Sequence, residues 1–112
     1  MEITNALRVL EVFRNFAKEH GHLEIPITAM HLFLAIANNP KASSRDLRTI
    51  AGQDAVTISR ITQVLSQGRK RGANFQKGLE IVSLSPDAMD YRSNVFTITP
   101  KGQKLLEEIK KI

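Results

Sequence analysis

The chain has no cysteine. That absence excludes a disulfide framework, a thiolate nucleophile, a cysteine-bearing zinc site and thiol-based sensing of oxidants. Long apolar runs are missing too, since no stretch approaches the roughly 20 residues needed to span a bilayer. The opening residues Met1-Glu2-Ile3-Thr4-Asn5 lack the basic start and apolar segment of a secretory signal, so a cytoplasmic protein without membrane attachment is expected. There is no Walker-type phosphate loop, no nucleophile elbow and no carboxylate pair in an apolar setting, and the expectation is that the chain is not an enzyme. The histidines His20, His22 and His31 include an H-x-H pair. With no cysteine to complete a set and His31 inside a helical stretch, neither a metal nor another cofactor is expected. Internal repeats and low-complexity segments are absent as well.

What is present is one core's worth of apolar residues and a surplus of positive charge. The 112 residues, 42% of them hydrophobic, suit a single domain over residues 1–112. Lysine and arginine outnumber aspartate and glutamate by 16 to 11, a net charge of +5, and this balance favours a polyanionic partner. The surplus is uneven. Between Ala55 and Leu79 stand five basic residues, Arg60, Arg69, Lys70, Arg71 and Lys77, and no acidic one.

Periodicity orders the elements. From Asn5 to about Glu19, Leu7, Val9, Leu10, Val12, Phe13 and Phe16 recur at helical steps, predicting a first helix with one wide apolar face. His20-Gly21-His22 breaks it, Pro26 blocks its resumption, and Thr28 is placed to cap a second helix over Ala29 to Ala37 that is apolar on nearly every side. Ser43-Ser44-Arg45-Asp46 offers a capping box for a third helix, running to about Ala51 and burying Leu47 and Ile50. After the turn Gly52-Gln53-Asp54, a fourth helix from Ala55 to about Gln67 turns Ile58, Ile61, Val64 and Leu65 inward. Two short helices about such a turn are a helix-turn-helix.

Downstream, Gly68 to Gly78 has three glycines and no apolar period, so a loop is expected. Leu79–Leu84 and Asn94–Ile98 are rich in β-branched residues and are separated by a polar stretch, as in a long-tipped hairpin. Thr99 and Pro100 open a last helix with the stripe Leu105, Leu106, Ile109 and Ile112. The fold class that results is mainly α with a small β-hairpin, α+β, a winged helix-turn-helix.

This order of elements makes double-stranded DNA the expected partner. A second helix held across the first can enter a major groove about 12 Å wide and present its N-terminal half to base edges. With its inner face apolar, the fourth helix turns Ala55, Val56, Thr57, Ser59, Arg60 and Gln63 outward. Arg60 suits guanine or a phosphate, Gln63 adenine, Thr57 and Ser59 either bases or phosphates, and Val56 a thymine methyl. Ser43, Ser44 and Arg45 stand where phosphates would be held. Arg69, Lys70, Arg71 and Lys77 would lie along the backbone and release counterions. Arg92, steadied by Asp90 at the hairpin tip, would reach a minor groove.

These residues also carry a resemblance. The run from Thr28 to Ile109, about three-quarters of the chain, resembles the winged-helix regulators of the MarR family. The likeness rests on Asp90 and Arg92, the strand Val95 to Ile98, then Thr99 and Gly102. Upstream it rests on Asp46-Leu47, Gly52, Thr57-Ile58-Ser59-Arg60 and Gly78-Leu79. It implies a homodimer, held by N- and C-terminal helices, that places two recognition helices on a pseudo-palindromic operator. Two features depart from the pattern. The last helix stops at Ile112, short of the family's usual arm, so a dimer would rest on the first helix, Leu23–Ile27 and the Leu105–Ile112 stripe. The basic loop is also longer than in most members. A small-molecule effector is left unknown.

The expected function is a dimeric, sequence-specific transcriptional regulator, in the first place a repressor. Two alternatives stand beside it: a plasmid or phage protein that coats repeated DNA sites for partition or replication, and an antirepressor that uses a winged helix to bind another protein.

Overall fold

The computed structural model describes residues 2–71, 74–88 and 94–112, with residues 69–71 and 74–76 described through their backbone course. Among the described residues the elements follow as α1 (Ile3–Glu19), α2 (Ile27–Asn38), α3 (Ser44–Ala51), α4 (Ala55–Leu65), β1 (Gly68–Arg71), β2 (Asn74–Lys77), β3 (Val82–Pro86), β4 (Asn94–Ile98) and α5 (Pro100–Lys110).

Helix α2 occupies the centre because nearly every side of it is apolar. It buries Ala29, Leu32, Phe33 and Ile36 and packs against α3, α4 and β4. Phe13 of α1 meets Phe33 edge-on, with ring centroids 6.0 Å apart and an interplanar angle of 88°, the arrangement that the ring quadrupoles favour. Leu47, Ile58, Ile61, Leu65, Phe96 and Leu105 complete the same buried cluster. The helix starts at Ile27, two residues earlier than a cap at Thr28 would place it. Pro26 is the N-cap, and its carbonyl accepts from the backbone N–H of Ala29 at 3.0 Å and of Met30 at 3.1 Å. A proline lacks the N–H but supplies the carbonyl that a first turn needs.

Helix α1 buries only its C-terminal half, through Phe13, Phe16 and Ala17. Ile3 (88% exposed), Leu7 and Leu10 form an uncovered strip along one side of it, and Leu23 (96%) and Ile27 are exposed in the segment that follows. In α3, Leu47 is buried as expected, whereas Ile50 is 44% exposed. The helix is eight residues long, and Leu47 takes its one inward turn while Ile50 falls at the periphery.

The wing is the antiparallel pair β3 and β4, in register Val82↔Ile98, Leu84↔Phe96 and Pro86↔Asn94. Strand β4 is tied to the start of α3 by a bridge between Ser43 and Val95 and by the Phe96 N–H, which donates to Ala42 O at 3.2 Å. Strand β3 begins at Val82, not at Leu79. The N–H groups of Leu79, Glu80 and Ile81 instead donate to Val64 O, Ser66 O and Leu65 O at 2.8, 2.9 and 2.9 Å. They satisfy carbonyls that the end of α4 leaves open, and Glu80 adopts a positive φ of 59° to make this possible.

The segment expected to be a loop is a second hairpin. β1 and β2 pair antiparallel in the register Gly68↔Lys77, Arg69↔Gln76, Lys70↔Phe75 and Arg71↔Asn74. Its strands carry no apolar alternation, the signal by which a half-buried strand is read.

Gly78 closes this hairpin where a Cβ would collide with the Ser66 carbonyl oxygen and come within 2.5 Å of Gly68 N. Gly78→Ala is therefore expected to lower stability by about 1–3 kcal/mol, read as a fall in the urea midpoint at unchanged m-value. An unchanged midpoint would mean that the close approach is relieved without cost.

Candidate nucleic-acid interface

The recognition element is built from two capped helices and a three-residue turn. At the start of α3 the Ser43 Oγ accepts from Asp46 N, and Ser43 N donates to Asp46 Oδ2, both at 3.1 Å. This is a reciprocal capping box. Helix α3 ends on Gly52 in the left-handed conformation, φ 66°, a geometry that costs glycine least. Asp54 then caps α4, its Oδ1 accepting from Thr57 N at 2.8 Å. That hydrogen bond from the Thr57 backbone is the main reason the Asp54 carboxyl titrates below its ordinary range, with the positive charges of Arg60 and Arg48 acting in the same direction.

Helix α4 has one packed and one free side. Ile58, Ile61, Thr62 and Leu65 are buried, and the Thr62 hydroxyl donates to Ser59 O at 3.0 Å, so this buried polar group has a partner. On the other side Ala55, Val56, Ser59, Arg60 and Gln63 are exposed and Thr57 is half-buried. Val56 is 78% exposed. Nothing in the packing of the core accounts for a β-branched apolar residue there.

The flanking groups are arranged as follows. Arg45 is exposed on α3, and Ser43 and Ser44 are half-buried at its start. The Ser43 oxygen is engaged as a cap acceptor, which leaves its hydroxyl hydrogen to donate. Lys77 at the foot of β2 pairs with Glu80, Nζ to Oε1 3.3 Å, an exposed pair of the kind worth little in water. The backbones of Arg69, Lys70 and Arg71 form β1. Their side chains, together with Asp90 and Arg92, lie outside the described residues. Sequence reasoning passed over Arg48. It is exposed, close enough to Asp54 to act on its titration, and it shares a helix face with Arg45. The i, i+3 spacing of the two arginines was the available signal.

The histidines take other parts. His20 Nδ1 lies 2.9 Å from Phe16 O, and its ring stacks on Phe16 with centroids 4.2 Å apart. Among the described residues no group of three or more histidines and carboxylates is gathered as metal ligands would be, and no helix is long and apolar enough to cross a membrane.

A helix held outward across its partner by a glycine turn, followed by an antiparallel hairpin fastened to the first helix of the pair, defines a winged helix-turn-helix. Solved structures of transcriptional regulators share this arrangement of elements. The chain is similar to transcriptional regulator Tm0710 from Thermotoga maritima, with TM-score 0.64 and 18% identity over 95% of this chain and 65% of that one. It is similar to MarR itself, with TM-score 0.64 and 21% identity over 99% of this chain and 74% of that one. It is also similar to a mutant of S. aureus MepR bound to an oligodeoxyribonucleotide, with TM-score 0.60 and 14% identity over 95% of this chain and 68% of that one. The likeness is one of fold, since no protein-family model and no curated protein matches the chain in sequence. The chain spans 65% of the length of the Thermotoga protein, just under two thirds.

The Asp54 cap gives a pH dependence with a definite sign. A carboxyl whose folded pKa is depressed stabilises the fold above its unfolded pKa, about 3.9, and that contribution disappears as pH falls through the folded value. Asp54→Asn keeps a neutral capping oxygen. The urea midpoint of the native protein should therefore exceed that of the variant at pH 7, with the gap closing as the pH is lowered below about 4. A gap constant down to about pH 2 would show that the charge of the carboxylate contributes nothing.

Proposed function

We propose that the protein is a cytoplasmic, non-enzymatic regulator of transcription that binds double-stranded DNA as a homodimer and represses by occluding a promoter. The whole chain acts as one winged-helix domain. The observation that carries this reading is the free side of α4. There Ala55, Val56, Ser59, Arg60 and Gln63 lie exposed on a helix whose other side is fully packed. An arginine for guanine, a glutamine for adenine, hydroxyls for phosphates and a bare valine for a thymine methyl are the side chains that base edges call for. Thr57 stands with them at the groove. Ser43, Ser44 and Arg45 hold phosphates at the start of α3, with Arg48 beside them. Arg69, Lys70, Arg71 and Lys77 supply further backbone contacts, and Arg92, oriented by Asp90, enters the minor groove. The oligodeoxyribonucleotide-bound MepR neighbour supports DNA as the partner.

The dimer is supported by the exposed strip Ile3, Leu7 and Leu10 on α1, with Leu23 and Ile27 exposed in the segment that follows. A run of large apolar side chains left in water marks an interaction surface. In the proposed dimer, α1 and α5 of two copies bring two recognition helices onto a pseudo-palindrome.

The test is fluorescence anisotropy with labelled duplexes across a salt series, comparing DNA upstream of the protein's own gene with scrambled DNA. A preference of about 10³-fold or more is expected for a sequence-reading regulator. Weak binding that is equal on both duplexes and vanishes with salt would point to a coat protein for repeated sites, and no binding to a protein-binding antirepressor. On the preferred duplex, Arg60→Ala should cost about 1–3 kcal/mol and relax the preference at one base pair. An equal loss on every duplex would make Arg60 a phosphate contact. Leu10→Glu should convert the dimer to a monomer in analytical ultracentrifugation and weaken binding to a two-half-site duplex by about 10²-fold or more. A wild-type protein that sediments as a monomer at every concentration would remove the dimer from the reading.

A further inference from the structure

We propose that the β1–β2 hairpin is a second sequence-reading element, a ribbon that lies in the major groove beside the base pairs under α4. This role rests on the reading of the protein as a DNA binder and adds to it a set of base contacts that a basic loop would not make.

Register decides which residues share a face of the ribbon. Residues directly opposite in an antiparallel pair lie on the same face, and positions two apart along a strand share it again. The pairs Arg69↔Gln76 and Arg71↔Asn74 therefore occupy one face. The pairs Gly68↔Lys77 and Lys70↔Phe75 occupy the other. The first face thus groups two arginines with two carboxamides. Phosphate oxygens accept from any donor, charged or neutral, and the lysines already provide the charge. An amide adds the paired donor and acceptor that matches adenine N6 and N7, and an arginine matches guanine O6 and N7. No acidic residue occurs between Ala55 and Leu79, so the entire stretch can approach a polyanion without repulsion.

The placement fits as well. A two-stranded ribbon is one of the two shapes that a major groove admits. This ribbon stands on the end of the recognition helix: β1 packs against α4, and the N–H groups of Gly78 and Leu79 donate to Gln67 O and Val64 O at 3.1 and 2.8 Å. The 11 residues of α4 span about 16 Å, and the four-residue strands reach about 13 Å further. Both elements therefore fall within about one helical turn of duplex, roughly 34 Å, and address a single half-site.

The experiment is selection from a duplex library in which the half-site and its flanks are randomised, carried out with the native protein and with Arg60→Ala, Asn74→Ala/Gln76→Ala and Arg69→Ala/Arg71→Ala. The native protein should show preferences at two sets of positions. Arg60→Ala should erase part of the inner set. Asn74→Ala/Gln76→Ala, which changes no charge, should leave the inner set and the salt dependence as they were while flattening the outer set, where best and worst bases differ about 5- to 100-fold. Arg69→Ala/Arg71→Ala should flatten the outer set too. Outer preferences that persist in both double variants would overturn the proposal and leave DNA reading by α4 intact. So would a uniform loss of affinity that spares every preference, because the ribbon would then touch phosphates only. A native protein with no base preference anywhere would overturn the DNA reading itself.

Discussion

Three consecutive residues, Leu79, Glu80 and Ile81, hold the architecture together. Their N–H groups close the open carbonyls at the end of α4. On the other side the Ile81 carbonyl accepts from Thr99 N at 3.1 Å, and the Glu80 carbonyl accepts from the Thr99 hydroxyl at 2.8 Å. One short segment thus joins the end of α4 to the start of the last helix. Because Leu79 and Ile81 are also fully buried, these hydrogen bonds lie in or beside the apolar core, where leaving a backbone group unpaired is expensive. The wing, the second hairpin and α5 all take their positions from this junction, and the left-handed backbone at Glu80 is what allows it.

Helix α4 shows how a surface is left free by work done elsewhere. Asp54 and the Thr62 hydroxyl satisfy polar groups within the helix itself, and Ile58, Ile61 and Leu65 anchor it. The outward residues then carry no structural duty. The same division holds in α3, where Ser43 and Asp46 cap one another, Leu47 is the buried anchor, and Arg45 and Arg48 are left exposed.

Features legible in the sequence were those with a local cause. The capping box at Ser43, the Thr99-Pro100 helix start and the inward set of α4 each follow from side chains a few residues apart, and each stands in the structure. Features that escaped it depend on remote backbone. Leu79–Ile81 alternates apolar and polar residues as a strand does, yet its N–H groups are claimed by the end of α4. Ile50 has the spacing of a core residue and lies at the periphery because α3 is too short to bury it. The β1–β2 hairpin has no apolar rhythm, so neither periodicity nor propensity marks it, and its glycines read as a loop. The exposed face of α4 was inferred from its apolar complement, whereas the face of the ribbon could be read only once the pairing register was known.

That register also says how the hairpin is joined to the fold. Gly68 and Lys77 are direct partners, so the hairpin leaves the body of the protein and returns to it at one point. A graft with adjoining ends imposes no displacement on the parts it joins, and it can be lengthened, shortened or exchanged while α4 and the wing stay where they are. The end of α4 is thereby a port, at which the surface of the protein can change without rebuilding its core.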